Sequence, residues 1–408
     1  MEGAGIMTRD ELYTLAHLYR LSGFCAALFD SQIFAVKFDD GRIGYLSSAG
    51  LTSSDTCLSL FMGDHGLQCL RYILRNRPNM STSEIDIAYL YSSQDFLECS
   101  FEKKVDLTKE ELKEAKDFAK SRGLSLRGKV RYPRFTKYEQ GRFAIRLSDE
   151  KDVERMGVAL EAAIAMLRLI RNIGEEKVGF KFTRKKPLVI PMLVRKNGEW
   201  INTMKRIPPV GIMFKRVKFE DELMIARLSQ KGRRGTYLCG TVYIPMAISL
   251  DGPNKSESIL NVLMSVNADT GALGPSARGT IKTLDRELRI FITALSEQRY
   301  LPEKIRVRDD LCEAMLSDFC EKVGIEMTRD GDFEILETHL QEKIDIARNP
   351  SGHMSISHDI KKLEANIAEL QFDQQPLPPH VIECLKNIAA AGLLSERATE
   401  KIRAAFGD

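Results

Sequence analysis

The chain is 408 residues long, 43% hydrophobic and 29% charged, a composition that suits two or three domains with packed cores. No stretch of about 18 uninterrupted apolar residues occurs, which excludes a membrane-spanning helix, and Met1 to Asp10 lacks the basic and apolar regions of a secretory leader. The net charge of +3 hides a segregation: −5 over residues 1–110, +16 over 111–240 and −8 over 241–408. That basic middle either presents a surface to polyanions or docks its charges onto the acidic flanks. The cysteines (Cys25, Cys57, Cys69, Cys99, Cys239, Cys312, Cys320, Cys384) are scattered, with no C-x-x-C pair. This predicts reduced, buried thiols in a cytoplasmic protein, and neither a disulfide framework nor a zinc ribbon.

Thr8 to Leu21 reads as a helix opened by a Thr8/Glu11 capping box, with Leu12, Leu15, Leu18 and Tyr19 on one face. Phe34–Phe38 and Ile43–Leu46 flank Asp39-Asp40-Gly41 as a hairpin. An apolar run at Cys57–Met62 precedes a helix over Gly66–Asn76, which Asp64 is placed to cap, and Phe96–Phe101 is a short strand. Thr108 to Arg122 carries a second capping box with Glu111, and Asp149 to Asn172 is a long helix with Met156, Leu160, Ala163, Ile164 and Leu167 as its stripe. Val178–Phe182, Leu188–Val194 and Trp200-Ile201 alternate as strands around the Asn197-Gly198 turn.

Tyr237–Met246 and Ile259–Val266 supply further strands, followed by a turn at Asn267–Gly271. Then come a helix to Gln298, a strand at Ile305–Arg308, a helix over Asp310–Val323, a strand at Ile325–Met327 and a helix over Asp332–Ile346. This order fits an α/β layer. Breaks at Asn349–Gly352 and Asp373–Pro379 set off two tail helices, His380–Ala391 and Ser395–Phe406. The tail either packs on the body or docks a protein partner.

Several short strings stand out. They are Met62-Gly63-Asp64-His65-Gly66-Leu67, Ser93-Gln94-Asp95, Ser100-Phe101-Glu102, Leu126-Arg127-Gly128-Lys129 and Tyr132-Pro133-Arg134-Phe135 in the first half. The second half has Val266–Gly271, Leu301–Val307 and Gly324–Met327. Together they resemble an uncharacterised bacterial family of two-part proteins built from domains of unknown function, over roughly residues 10–345. The resemblance implies no activity.

The second half also resembles a ribonuclease-H-type core, in which a strand ends in a metal-binding Asp and carboxylates converge on paired metal ions. Here Arg308 falls where that acid belongs, and the strand near Cys239–Pro245 offers none. The Asp269-Thr270-Gly271-Ala272 string matches half of an aspartic-protease dyad, but no second copy exists and a hairpin turn accounts for it. Neither a phosphate loop nor a metal-ligand spacing is present.

From Lys120 to Lys137 there are seven cations and no acid, with Tyr132 and Phe135 interleaved, a pattern that suits phosphates and stacked bases. Further cations cluster at Lys185-Lys186 and Arg233-Arg234.

The sequence therefore predicts an α+β chain. An N-terminal α+β domain occupies 1–175 and a basic β-rich segment 176–235. A ribonuclease-H-like α/β domain without the usual acids occupies 236–348, and a linker with helical tail 349–408. The leading expectation is a non-catalytic binding or adaptor protein with no cofactor, no metal and no membrane. It would touch nucleic acid through Arg127, Lys129, Arg131, Arg134, Lys185, Lys186, Arg233 and Arg234. The alternatives are a metal-dependent nuclease using Asp269, Asp309, Asp310 and Glu337, and a protein–protein scaffold.

Overall fold

Strand alternation decides the architecture. The computed structural model describes residues 7–50, 56–76, 82–124, 131–180, 189–209, 211, 213–248, 257–348, 386 and 396–406. Its first sheet contains β1 (Phe34–Lys37), β2 (Ile43–Ala49), β3 (Cys57–Met62), β4 (Phe96–Glu102), β5 (Tyr132–Tyr138), β6 (Ile145–Arg146), β7 (Val189–Lys196) and β8 (Glu199–Arg206). The strand order is β6-β5-β4-β3-β2-β1-β7-β8, antiparallel throughout except for the parallel pair β1 and β7. Side chains with period two send Phe34 and Val36 into one core and Ala35 into another. The first core is closed by α1 (Arg9–Ser22), α4 (Lys109–Ser121) and α5 (Glu150–Ile173). There Leu12, Tyr19, Met156 and Leu160 are fully buried.

The other face is covered by α2 (Gly63–Arg75) and α3 (Glu84–Ser92), and its core continues into a second sheet. That sheet holds β9 (Thr236–Ile248), β10 (Ser258–Asn267), β11 (Leu273–Gly279), β12 (Lys304–Val307) and β13 (Glu326–Thr328), in the order β11-β10-β9-β12-β13. The first three strands run antiparallel; β12 lies parallel to β9, and β13 parallel to β12. Between and after them come α8 (Leu284–Glu297), α9 (Asp310–Val323) and α10 (Glu334–Arg348). The expected sequence of hairpin, helix, strand, helix, strand and helix is present. Residues 1–340 form one unit and 341–408 a second, in which the tail helix α11 (Glu396–Phe406) is described.

Several expectations change. The 176–235 segment is shared out: β7 and β8 extend the first sheet, while α7 (Glu222–Ser229) packs on α9. Val178 is not in a strand but ends α6 (Glu175–Val178), because Gly179 turns the chain out at φ 113°. On α1 the buried set is Leu12, Tyr13, Ala16 and Tyr19, and Leu18 is 48% exposed. The tail helix over His380–Ala391 lies outside the described residues, apart from Lys386. Among the described residues no helix is long and apolar enough to cross a membrane, and all seven described cysteines are unbridged.

Candidate ligand site between the two sheets

The carboxylates of the nuclease alternative have other employment. Asp309 caps α9: Oδ1 accepts from Cys312 N at 2.8 Å and Thr241 Oγ1 at 2.7 Å, and Oδ2 accepts from Thr241 N at 2.7 Å. Burial pushes its pKa up. Asp310 pairs with Arg329, and Glu337 accepts from Arg308 Nε at 2.8 Å. Asp269 sits exposed in a hairpin turn that Asn267 Oδ1 closes by accepting from Asp269 N and Thr270 N. Among the described residues no three His, Cys, Asp or Glu side chains are grouped to hold a metal ion. The end of β12 is instead covered by α3. Arg308 Nη2 donates to Asp86 at 2.6 Å, and Leu311 N donates to the Tyr89 hydroxyl at 2.9 Å.

The basic tract is largely engaged too. Arg131 donates to the Phe101 carbonyl at 3.2 Å and Arg134 to Glu111 at 3.1 Å. Lys137 meets Asp152 at 2.8 Å, while Arg122 and Arg146 pair with Asp10 and Glu114. Phe135 is core, edge-on to Tyr13 at 5.2 Å, and Tyr138 stacks on Phe96 at 4.4 Å. Arg233 donates to the Val323 carbonyl at 2.6 Å and also to Gly324, closing the C-terminus of α9. Arg234 is exposed. Arg127, Lys129, Lys185 and Lys186 lie outside the described residues.

What the fold does bring together are two of the strings read in the first half. After β3 the chain turns at Gly63 (φ 64°) into α2. Gly66 allows the close approach, since a Cβ there would lie 2.7 Å from the Phe61 carbonyl carbon. Asp64 does not cap the helix; it stands in the first turn, and the N-cap position, Met62, supplies no side-chain bond. His65 Nε2 lies 3.3 Å from Asp95 Oδ2, and this carboxylate raises the imidazole pKa. One turn on, the buried Cys69 sulfur accepts from Asp95 N at 3.2 Å and donates to the Ser93 carbonyl at 3.6 Å. Burial lifts the thiol pKa to about 12, so it is a structural anchor and not a nucleophile.

Farther along α2, Gln68, Arg71, Tyr72 and Arg75 occupy positions i, i+3, i+4 and i+7, one face of the helix. They line a cavity of ≈ 300 Å³. The opposite wall repeats the same spacing on α9, with Asp310, Glu313, Ala314 and Ser317. Met213, Phe214 and Arg216 complete it. Arg71 is 8% exposed, and its guanidinium donates to the Pro208 and Pro209 carbonyls at 2.8 and 3.1 Å. Burial lowers its pKa. Gln68 Nε2 also donates to Pro209, at 3.3 Å, while Gln68 Oε1 is buried without a partner. A neighbouring recess of ≈ 560 Å³ shares Gln68, Gly211, Met213 and Phe214, and adds His65, Lys215 and Ile281. None of the α2 stripe was singled out in the sequence. Its signal was the polar i, i+3, i+4, i+7 spacing opposite an apolar face of Leu67 and Leu70.

The two walls of this cleft fall in separately recognised parts of the chain. Residues 10–189 match a family model described as a domain of unknown function (DUF7309), and residues 224–342 match a second, also a domain of unknown function (DUF6930). No curated protein and no solved structure matches the chain. The α2 wall thus lies in the first domain and the α9 wall in the second. The chain belongs to a two-domain family that joins DUF7309 to DUF6930.

Proposed function

We propose that this chain is a non-catalytic binding or adaptor protein whose recognition site is the cleft between α2 and α9. The observation that carries the reading is the domain junction. At the end of β12, Arg308 is clamped by Asp86 and Glu337, and Tyr89 accepts the Leu311 N–H. The hairpin-then-crossover layout of the second sheet supports reading it as a ribonuclease-H-type core used as a scaffold; fold alone would not assign chemistry to it. The described cations of the basic tract support the docking alternative over a nucleic-acid surface, since Arg131, Arg134 and Arg233 already hold carbonyls or a carboxylate.

The test is to incubate the full chain with DNA and RNA, with and without magnesium or manganese, while titrating salt. Intact nucleic acid is expected, with no measurable binding at about 0.1 M salt. Metal-dependent cleavage that disappears in Asp310→Ala would replace this reading with the nuclease. Binding that falls steeply with salt and is lost in Arg131→Glu would restore the nucleic-acid surface.

A further inference from the structure

We infer that the cavity between α2 and α9 binds a small organic anion, a carboxylate or phosphate on an apolar body, anchored by Arg71 and Arg75. This deepens the binding reading above and rests on it. Arg71 is buried, yet among the described residues its hydrogen-bond partners are the neutral Pro208 and Pro209 carbonyls. Those bonds use two of the five N–H donors of a guanidinium. A buried cation without a counter-ion is costly, and an anion in the cavity would neutralise it. Arg75, one turn along, is exposed and has no hydrogen-bond or ion-pair partner among the described residues.

The other charges on the walls are already matched. Asp310 and Glu313 share Arg329, and Arg216 meets Glu321 and Asp318. Arg71 and Arg75 are therefore the cations left to a ligand. Guanidinium forks match the paired oxygens of a carboxylate or phosphate. Met213, Phe214 and Ala314 offer apolar surface beside them, and ≈ 300 Å³ suits one small molecule.

The full chain is titrated calorimetrically with benzoate, phenyl phosphate and the uncharged isostere benzamide. One saturable site is expected for at least one anion, and the preference between the two separates carboxylate from phosphate. Benzamide should bind at least about tenfold more weakly. Arg75→Gln should weaken the anion about tenfold, and Arg71→Lys should weaken it further by removing the fork. Arg168→Gln, exposed on α5, should change nothing. Arg75 is exposed, so its variant keeps the test decisive even where Arg71→Lys fails to fold. No saturable binding of either anion, or anion binding that Arg75→Gln leaves intact, overturns the inference. Equal binding of benzamide and benzoate overturns the anion assignment while leaving a binding cleft; metal-dependent cleavage of nucleic acid overturns the binding reading itself.

Discussion

Around the first sheet, acids meet cations at half-open edges: Arg134 with Glu111, Lys137 with Asp152, Arg146 with Glu114. Inside the second, carboxylates are buried against N–H and O–H donors. Asp309 takes Thr241 and Cys312, and Glu287 takes Asn261 Nδ2 at 3.1 Å and Leu263 N at 3.0 Å. The two arrangements respond to different conditions. Edge pairs are weakened by salt, which screens exposed charges. Buried carboxylates are nearly blind to salt, but their desolvation couples folding to protons. One chain should therefore show salt sensitivity in its first domain and pH sensitivity in its second.

The sharpest way to break this contrast is Asp309→Ala. The change orphans Thr241 N–H, Thr241 Oγ1 and Cys312 N–H in a site where both residues are fully buried. It also removes the cap of α9. Each orphaned donor costs ~1–3 kcal/mol, so the total should reach about 4–5 kcal/mol, a large part of an ordinary domain's stability. The urea midpoint should collapse at any ionic strength. A midpoint close to wild type would mean that water replaces the carboxylate, and the second sheet would not depend on its buried acid.

Glu287→Gln should produce the next largest effect, with a sign that depends on pH. Burial pushes the Glu287 pKa up from 4.5 to about 8, outweighing the Leu263 and Asn261 bonds that lower it. The folded state thus holds the proton more tightly than the unfolded one. Its stabilisation is fully present below about pH 4.5 and is lost as pH climbs to about 8. At ~1.4 kcal/mol per unit, a few kcal/mol are at stake across that window. A melting series should show wild type weakening as pH rises and the Gln variant weakening less, since Asp309 still titrates in both, so that the variant is the more stable at about pH 9. The Gln amide also gives the unpartnered Asn261 Oδ1 a donor nearby. A wild-type curve flat over this range would mean the carboxylate is ionised and adequately solvated by its N–H donors.

The parts of this contrast visible in the sequence were the local ones. Thr8 with Glu11 and Thr108 with Glu111 form capping boxes, and Asp149 caps α5, because each cap and the N–H groups it serves lie within three residues. The element order of the second half was legible for the same reason: Asn267, Gly271, Asp309 and Gly324 mark turns and caps by their own backbone preferences. Non-local facts were not legible. His65 finds Asp95 only because the turn that enters β4 comes back to α2, and Leu18 of α1 is left exposed because Ala16 and Tyr19 take the packed face. The stripe of Gln68, Arg71, Tyr72 and Arg75 looks like any solvated helix face until α9 stands across from it. The basic middle was visible as charge, but whether Arg134 faces solvent or Glu111 depends on α4 packing over β5.

Arg308 joins the two regimes, being 7% exposed at its side chain while both partners, Asp86 and Glu337, stay about half in water. Arg308→Met keeps the apolar stem and removes the clamp. Since the two carboxylates can rehydrate, the cost should be moderate, about 1–2 kcal/mol. A double-mutant cycle with Asp86→Asn isolates the bond between α3 and the second sheet, with about 1 kcal/mol of coupling expected. Zero coupling would mean that the junction is held without this clamp, by the shared apolar core and by hydrogen bonds such as Leu311 N to the Tyr89 hydroxyl.

The smallest expected effect belongs to Arg134, read from sequence as a phosphate contact. Arg134→Glu sets a carboxylate against Glu111, whose side chain is only 7% exposed and which also accepts from Thr108 N at 2.8 Å in the α4 capping box. Arg134 itself is more than a third exposed, so solvent screens the interaction and the loss should be about 1 kcal/mol at low salt. At about 0.5 M salt, where the screening length is only a few ångströms, roughly half of that loss should disappear. The measurement is the melting temperature of wild type and variant across a salt series, with Glu287→Gln run beside them as the salt-insensitive reference. A variant that melts like wild type at every salt concentration would leave Arg134 with no structural task, and its charge would then be available to a polyanion after all. A gap that narrows with salt would place the charge where the contrast puts it, on the edge of the first sheet and holding α4.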